Sequence, residues 1–192
     1  AAVLVMNPNT GEVYAMADSP SFNANSPSDP TTVNTSDEFK ASWDAMTNEE
    51  QLEYLMKSWR NFNISNTFEP GSIFKPMVVA AALEEGIISE TDTYVCNGKK
   101  TVYDKTIGCW QRSGHGTETL EDVLANSCNV AMMDIGEKMG RSLFYKYQKD
   151  FGFGELTGID LPGEEGTGST IMYAENAIGP VELATMSFGQ SF

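Results

Sequence analysis

Ser72 stands three residues before Lys75 in the segment Glu69-Pro70-Gly71-Ser72-Ile73-Phe74-Lys75-Pro76. A serine hydroxyl attacks nothing at neutral pH until a base takes its proton, and a lysine one helical turn later lies on the same face, within reach. Lys75 can be that base only when neutral, which requires burial or a nearby positive charge to lower its pKa. Gly71 leaves room for a ligand to approach the backbone, and Pro70 suits a chain entering a helix whose first N–H groups are free to hold an oxyanion. A serine three before a lysine also arises by chance about once in a chain of this length. The spacing therefore names a chemistry without fixing it.

The helix that must carry this pair is expected from Ser72 to Glu85. Its stretch Met77-Val78-Val79-Ala80-Ala81-Ala82-Leu83 is apolar nearly all round, as in a helix buried at the centre of a domain. A second polar cluster follows at Ser127-Cys128-Asn129, where one helical pattern ends and another begins. Thr119 with Asp122 reads as an N-cap with an acidic first turn, so a helix runs from Leu120 to about Asn126. Two readings of the junction stand. Ser127 or Asn129 caps the next helix, the usual task of such residues, or both side chains enter one cleft as a hydroxyl relay and an amide.

Ser127 follows Lys75 by 52 positions, and in this order the two clusters resemble the Ser-x-x-Lys and Ser-x-Asn motifs of the penicillin-binding protein transpeptidases. Trp59-Arg60-Asn61, Cys109-Trp110 with His115-Gly116, Asp160-Leu161-Pro162-Gly163-Glu164 and Gly179-Pro180-Val181-Glu182-Leu183-Ala184-Thr185-Met186-Ser187-Phe188-Gly189-Gln190 resemble its class B members, the monofunctional cross-linking enzymes of division and sporulation. The opening Val3-Leu4-Val5-Met6-Asn7-Pro8 and Gly11-Glu12-Val13-Tyr14-Ala15-Met16-Ala17 resemble the first hairpin of that domain. The resemblance covers nearly the whole chain.

It implies an α+β fold of the penicillin-binding protein and serine β-lactamase type, represented here by its helical part and first hairpin. Ser72, Lys75 and Ser127 would be catalytic and Asn129 would bind substrate. The substrates would be peptidoglycan stem peptides ending in D-Ala-D-Ala, with β-lactams as covalent ligands and no cofactor or metal. A glycosyltransferase and other division or sporulation proteins are the implied partners. The parent would face outward from the bacterial cytoplasmic membrane on an N-terminal anchor. The family's third motif, Lys-Thr-Gly or His-Thr-Gly, is matched neither by Lys100-Thr101-Val102 nor by Lys105-Thr106-Ile107. The chain therefore reads as a partial domain lacking the C-terminal strands, inactive alone. A penicillin-sensing receptor, a serine β-lactamase and a non-catalytic scaffold are the alternatives.

The formal net charge of −15 repels nucleic acid and anionic membrane surfaces. No apolar run is long enough to span a bilayer. Cys96 and Cys109 bracket an excursion whose ends could meet, and a disulfide between them would stabilise by about 2–3 kcal/mol outside the cytoplasm. A single histidine, His115 between Gly114 and Gly116, and the lack of any Cys-x-x-Cys pair speak against zinc. His115 reads as shaping a turn and Cys128 as packing like a small hydrophobe.

Strands are expected from Ala2 to Met6 and from Glu12 to Ala17, joined by the turn-rich 7–11. Residues 18–44 read as a loop, and 48–150 as mainly helical apart from the 96–109 excursion. Leu52, Leu55, Met56 and Trp59, at helical spacing after an acidic first turn, read as core. Further helices run from Val130 to Met139 and from Ser142 to Asp150, separated by Gly140. Residues 151–192 read as loop and the start of another helix. The Glu164-Glu165 pair reads as a solvated turn rather than a catalytic base.

Overall fold

The apolar run at the N-terminus pairs with the next one in an antiparallel hairpin, β1 (Ala2–Met6) with β2 (Val13–Asp18), in the register Val3 with Ala17 and Leu4 with Met16. Asn7 and Gly11 close the turn, the Gly11 N–H donating to the Asn7 carbonyl at 2.9 Å. The computed structural model describes residues 1–164 and 172–191, which divide into two compact units. The first holds residues 1–67 with 158–164, and the second holds residues 68–157 with 172–191. Glu165 and 166–171, which carry part of the acidic pair and the glycine-rich stretch, lie outside the described residues.

Within the first unit the 18–44 segment is not loop throughout. Pro30–Thr32 forms a 3-10 turn capped by Asp29, and α1 (Asp37–Ala45) begins where the Ser36 hydroxyl accepts the Phe39 N–H with Asp37 and Glu38 in the first turn. This cap overrides a segment rich in Ser, Asn and Thr that has no apolar period of its own. Next comes α2 (Asn48–Trp59), opened by a capping box in which Thr47 and Glu50 satisfy each other's backbone N–H groups. Its inward face differs from the expected one. Leu55 and Ser58 are buried, whereas Leu52, Met56 and Trp59 are exposed. The cause is α1, because Tyr54 packs against Phe39 and Trp43 with ring centroids 5.6 and 5.7 Å apart, turning the helix about its axis. The short α3 (Phe62–Ser65) is tied to β2 through Asn63 Nδ2, which donates to the Ala17 carbonyl at 3.1 Å.

The second unit holds the core. A 3-10 turn at Gly71–Phe74 leads into α4 (Lys75–Glu84), which buries Lys75, Val78, Val79, Ala81 and Ala82 and leaves Pro76 and Ala80 exposed. The helix is thus buried on most of its circumference, not all. The excursion is a hairpin standing on a hairpin, with β3 (Thr93–Cys96) pairing with β6 (Gly116–Thr119) around the inner pair β4 (Lys99–Val102) and β5 (Lys105–Gly108). Thr119 and Asp122 form the capping box that starts α5 (Leu120–Ala125). The long α6 (Asn129–Asp150) follows and breaks at Gly140, whose φ of 71° and ψ of 163° are not helical. Lys100 Nζ lies 2.5 Å from Asp134 and 2.6 Å from Glu137, fixing β4 to α6. Finally α7 (Pro180–Met186) packs on α6. No helix among the described residues is long and apolar enough to cross a membrane.

Phe74, the last residue of the 3-10 turn, packs against Phe144 of α6 and Phe153, with centroids at 5.9 and 5.2 Å. Phe144 is 2% exposed, so truncation to alanine opens a cavity beneath the turn that carries Ser72. Phe144→Ala is expected to cost about 3–5 kcal/mol, read as a lowered urea midpoint with an unchanged slope.

Candidate active site

The turn carrying Ser72 is held by backbone. Gly71 has φ of 62°, open to glycine at little cost, and its N–H donates to the Gly189 carbonyl at 2.8 Å. A side chain at Gly189 would collide with the Gly71 carbonyl. Gly189 is therefore the position that needs glycine for a close backbone approach, whereas the space a side chain at Gly71 would fill is open. Glu69 Oε1 accepts the Ser191 N–H at 2.6 Å on the other side. Ser72 itself is exposed, in the first turn, where N–H groups have no helical partner.

Lys75 is 2% exposed and its three N–H bonds are all used. Nζ donates to the Ser127 carbonyl at 2.7 Å, to Ser127 Oγ at 2.8 Å and to Asn129 Oδ1 at 2.7 Å. Ser127 Oγ donates in turn to Ser72 Oγ at 3.0 Å. The four polar residues singled out in the sequence thus meet in one network, with one difference from expectation. No direct bond joins Lys75 to Ser72, and Ser127 stands between them.

Ser127 and Asn129 do not cap α6. Its N-cap residue is Cys128, which makes no side-chain cap bond, and both flanking side chains turn to Lys75 instead. The junction is tight, since the Ser127 N–H returns to Leu124 and the Cys128 N–H to Val123 at 3.1 and 2.9 Å. This closure holds Ser127 at φ of 53°, a left-handed conformation that costs a non-glycine residue on the order of 1 kcal/mol. With Oδ1 of Asn129 accepting from Lys75, its amide group keeps its two N–H donors.

Burial lowers the Lys75 pKa from 10.5 to about 8, against a weaker opposing pull from Cys109 and Cys128. The folded value lies below the free one, so folding disfavours the charged form. Stability is lowest below about 8 and rises as pH climbs toward 10.5. The neutral amine grows over the lower part of that window. If it is the base, acylation at Ser72 rises about tenfold per pH unit below about 8 and levels off above it. A rate independent of pH between 6 and 9, roughly two pKa widths, would exclude that role.

The ends of the 96–109 excursion meet as expected, with the Cys109 N–H donating to the Gly98 carbonyl at 2.8 Å. Both thiols are free, however, and no bridge joins them. Cys128 and His115 share the same pocket, one ligand atom from each of the four residues lying within 4.8 Å of all the others. The His115 side chain, only 8% exposed, is packed into that pocket rather than turned to solvent. Glu118, 2% exposed and with Oε2 3.6 Å from His115 Nδ1, has no signal in the sequence beyond its position along β6.

A family model described as the penicillin binding protein transpeptidase domain matches residues 1–192. Stage V sporulation protein D of Bacillus subtilis (strain 168) is 39% identical over 188 residues, 97% of this chain and 25% of that protein. The peptidoglycan D,D-transpeptidase FtsI of Escherichia coli (strain K12) is 34% identical over 193 residues, 98% of this chain and 27% of the relative. The chain thus spans about a quarter of the length of these curated relatives. Among solved structures, the D,D-transpeptidase domain of a peptidoglycan glycosyltransferase from Eggerthella lenta superposes with a TM-score of 0.75 at 24% identity, over 98% of this chain and 41% of that one. At that identity the likeness speaks for the fold.

Proposed function

The chain belongs to the penicillin-binding protein transpeptidase domain family, and from that premise we propose that it carries the acyl-transferring centre of a peptidoglycan D,D-transpeptidase. The observation that carries the proposal is the unbroken relay from Ser72 Oγ through Ser127 Oγ to Lys75 Nζ, with links of 3.0 and 2.8 Å. Stem peptides ending in D-Ala-D-Ala are the substrates and β-lactams the covalent inhibitors. The reaction takes place outside the cytoplasmic membrane, alongside the glycan-polymerising and division or sporulation machinery.

The proton count on Lys75 sets the direction of the relay. A charged ammonium has three donors and no acceptor, and here all three are engaged. Loss of one proton leaves two N–H bonds and a lone pair for the same three oxygens. Of these, the Ser127 hydroxyl alone can turn and become a donor. It then donates to Nζ, Ser72 donates to Ser127, and the chain points from nucleophile to base.

In the first half-reaction Ser72 Oγ bonds to the penultimate D-alanine carbonyl carbon while its proton passes to Ser127 and that of Ser127 to Lys75. The carbonyl electrons move to oxygen, which the Ser72 N–H helps to hold. Collapse breaks the C–N bond, and terminal D-alanine leaves with the proton returned from Lys75 through Ser127. Asn129 holds the stem backbone. In the second half an amine of another stem attacks the ester carbonyl and gives its proton to Lys75 by the same relay; the bond to Ser72 Oγ then breaks and Ser72 takes that proton back as its hydroxyl re-forms.

The test is intact mass after incubation of the natural-length protein with a fluorescent penicillin, followed by peptide mapping. One adduct on the peptide containing Ser72, with D-alanine released from a stem peptide, is the expected result. An adduct without D-alanine release would indicate a sensor, and rapid loss of the adduct a β-lactamase. Labelling at another residue would overturn the assignment.

A further inference from the structure

We infer that Cys96, Cys109, Cys128 and His115 form a closed zinc site that clamps the Ser127-Cys128-Asn129 turn to the β3–β6 and β4–β5 hairpins. The donors come from four separate places. Cys96 ends β3, Cys109 follows β5, His115 precedes β6 and Cys128 starts α6. All three cysteines are 0–1% exposed, and the four ligand atoms lie within 4.8 Å of one another. A tetrahedral zinc with sulfur at about 2.3 Å needs donors about 3.8 Å apart, so a contraction of about 1 Å at most seats the ion. Three thiolates and an imidazole fill the four positions of a structural zinc and suit no hard cation.

The surroundings are those of a metal centre rather than of an apolar core. His115 Nδ1 lies 3.9 Å from Cys109 Sγ and 3.6 Å from Glu118 Oε2. Nε2 of the same ring and Oε2 of Glu118 are buried without a hydrogen-bond partner. Unpartnered buried polar atoms are costly, and a dication taken up by the ring, with the Glu118 carboxylate beside it, accounts for both. The other oxygen of Glu118 accepts from Asn126 Nδ2 at 3.0 Å, which fixes the carboxylate in place.

A Cys96–Cys109 disulfide would leave Cys128, His115 and Glu118 unexplained. Zinc uses all of them. It also gives a reason for cysteine between the two residues that hold Lys75, since a ligand there anchors the left-handed Ser127. This last consequence rests on the reading of Ser72 and Lys75 as nucleophile and base, whereas the metal site does not.

The test is the metal content of the natural-length protein, purified under reducing conditions and freed of loosely held ions. About one zinc per chain is expected, with the three thiols inert to a thiol reagent until a chelator is added. Cobalt(II) added to the stripped protein should produce thiolate charge-transfer bands and the intense visible bands of tetrahedral coordination. Cys96→Ser and His115→Ala should lose the ion. Glu118→Gln, which keeps the buried shape, should weaken zinc about 10–100-fold. Zinc well below stoichiometry in the wild-type protein, thiols that react without chelator, or a mass two hydrogens low from a Cys96–Cys109 bridge would each overturn the inference. Zinc without penicillin labelling would overturn the Ser72 reading alone, and labelling without zinc the metal site alone.

Discussion

Ser72→Ala is expected to leave the protein folded and unlabelled by penicillin. The side chain is exposed and makes one hydrogen bond, accepted from Ser127, so its loss is expected to move stability by no more than about 0.5 kcal/mol. Under the proposed assignment, by contrast, covalent chemistry has no other route. Removal of a hydroxyl nucleophile from a cooperating set typically costs on the order of 10⁴–10⁶ in rate, and here the adduct itself becomes impossible. The measurement pairs intact mass after penicillin exposure with a thermal melt. An unchanged melt with no adduct is the expected outcome, and an adduct of wild-type mass would mean that another residue is the nucleophile.

Lys75→Arg is expected to be nearly as damaging, and for a reason that Ser72→Ala cannot supply. Arginine keeps the charge and offers more donors, so a role limited to holding Ser127 and Asn129 in place would survive in part. It cannot give up its proton in a protein, so a role as base would not. An acylation rate lower by about 10³ or more, without the rise toward pH 8 expected of the wild type, is the expected pattern. Lys75→Met completes the argument. It removes a buried charge whose desolvation opposes folding, so any loss of stability is small beside the loss of rate. A Lys75→Arg enzyme retaining a tenth or more of the rate, far above that expectation, would reduce Lys75 to a positioning residue.

Ser72, Lys75, Ser127 and Asn129 are legible in the sequence as candidates because each pair is local, set by a turn or a helix start. How the pairs join is not legible there. Lys75 was expected to touch Ser72, but 52 positions later the α5–α6 junction places Ser127 between them. Long-range insertion of this kind has no local signature. The same holds for the inward face of α2, decided by aromatic contact with α1, and for His115, whose glycine neighbours suggest a turn. Spacing did predict the excursion and its meeting ends. What it could not weigh was Cys128, whose apolar surroundings in sequence conceal two other sulfurs in space.

The 3-10 winding of Gly71–Phe74, closed by the Lys75 N–H on the Ser72 carbonyl, has a rotational meaning. Such a helix advances about 120° per residue and 2.0 Å in rise, so positions three apart eclipse, about 6 Å apart along the axis. An α-helical turn would leave them about 60° out of phase. Ser72 and Lys75 therefore project along one azimuth, and a single hydroxyl approaching from the side can touch both. Inserting one residue between them would swing the ammonium by about a third of a circle. The interval of three is thus the pitch of the turn itself.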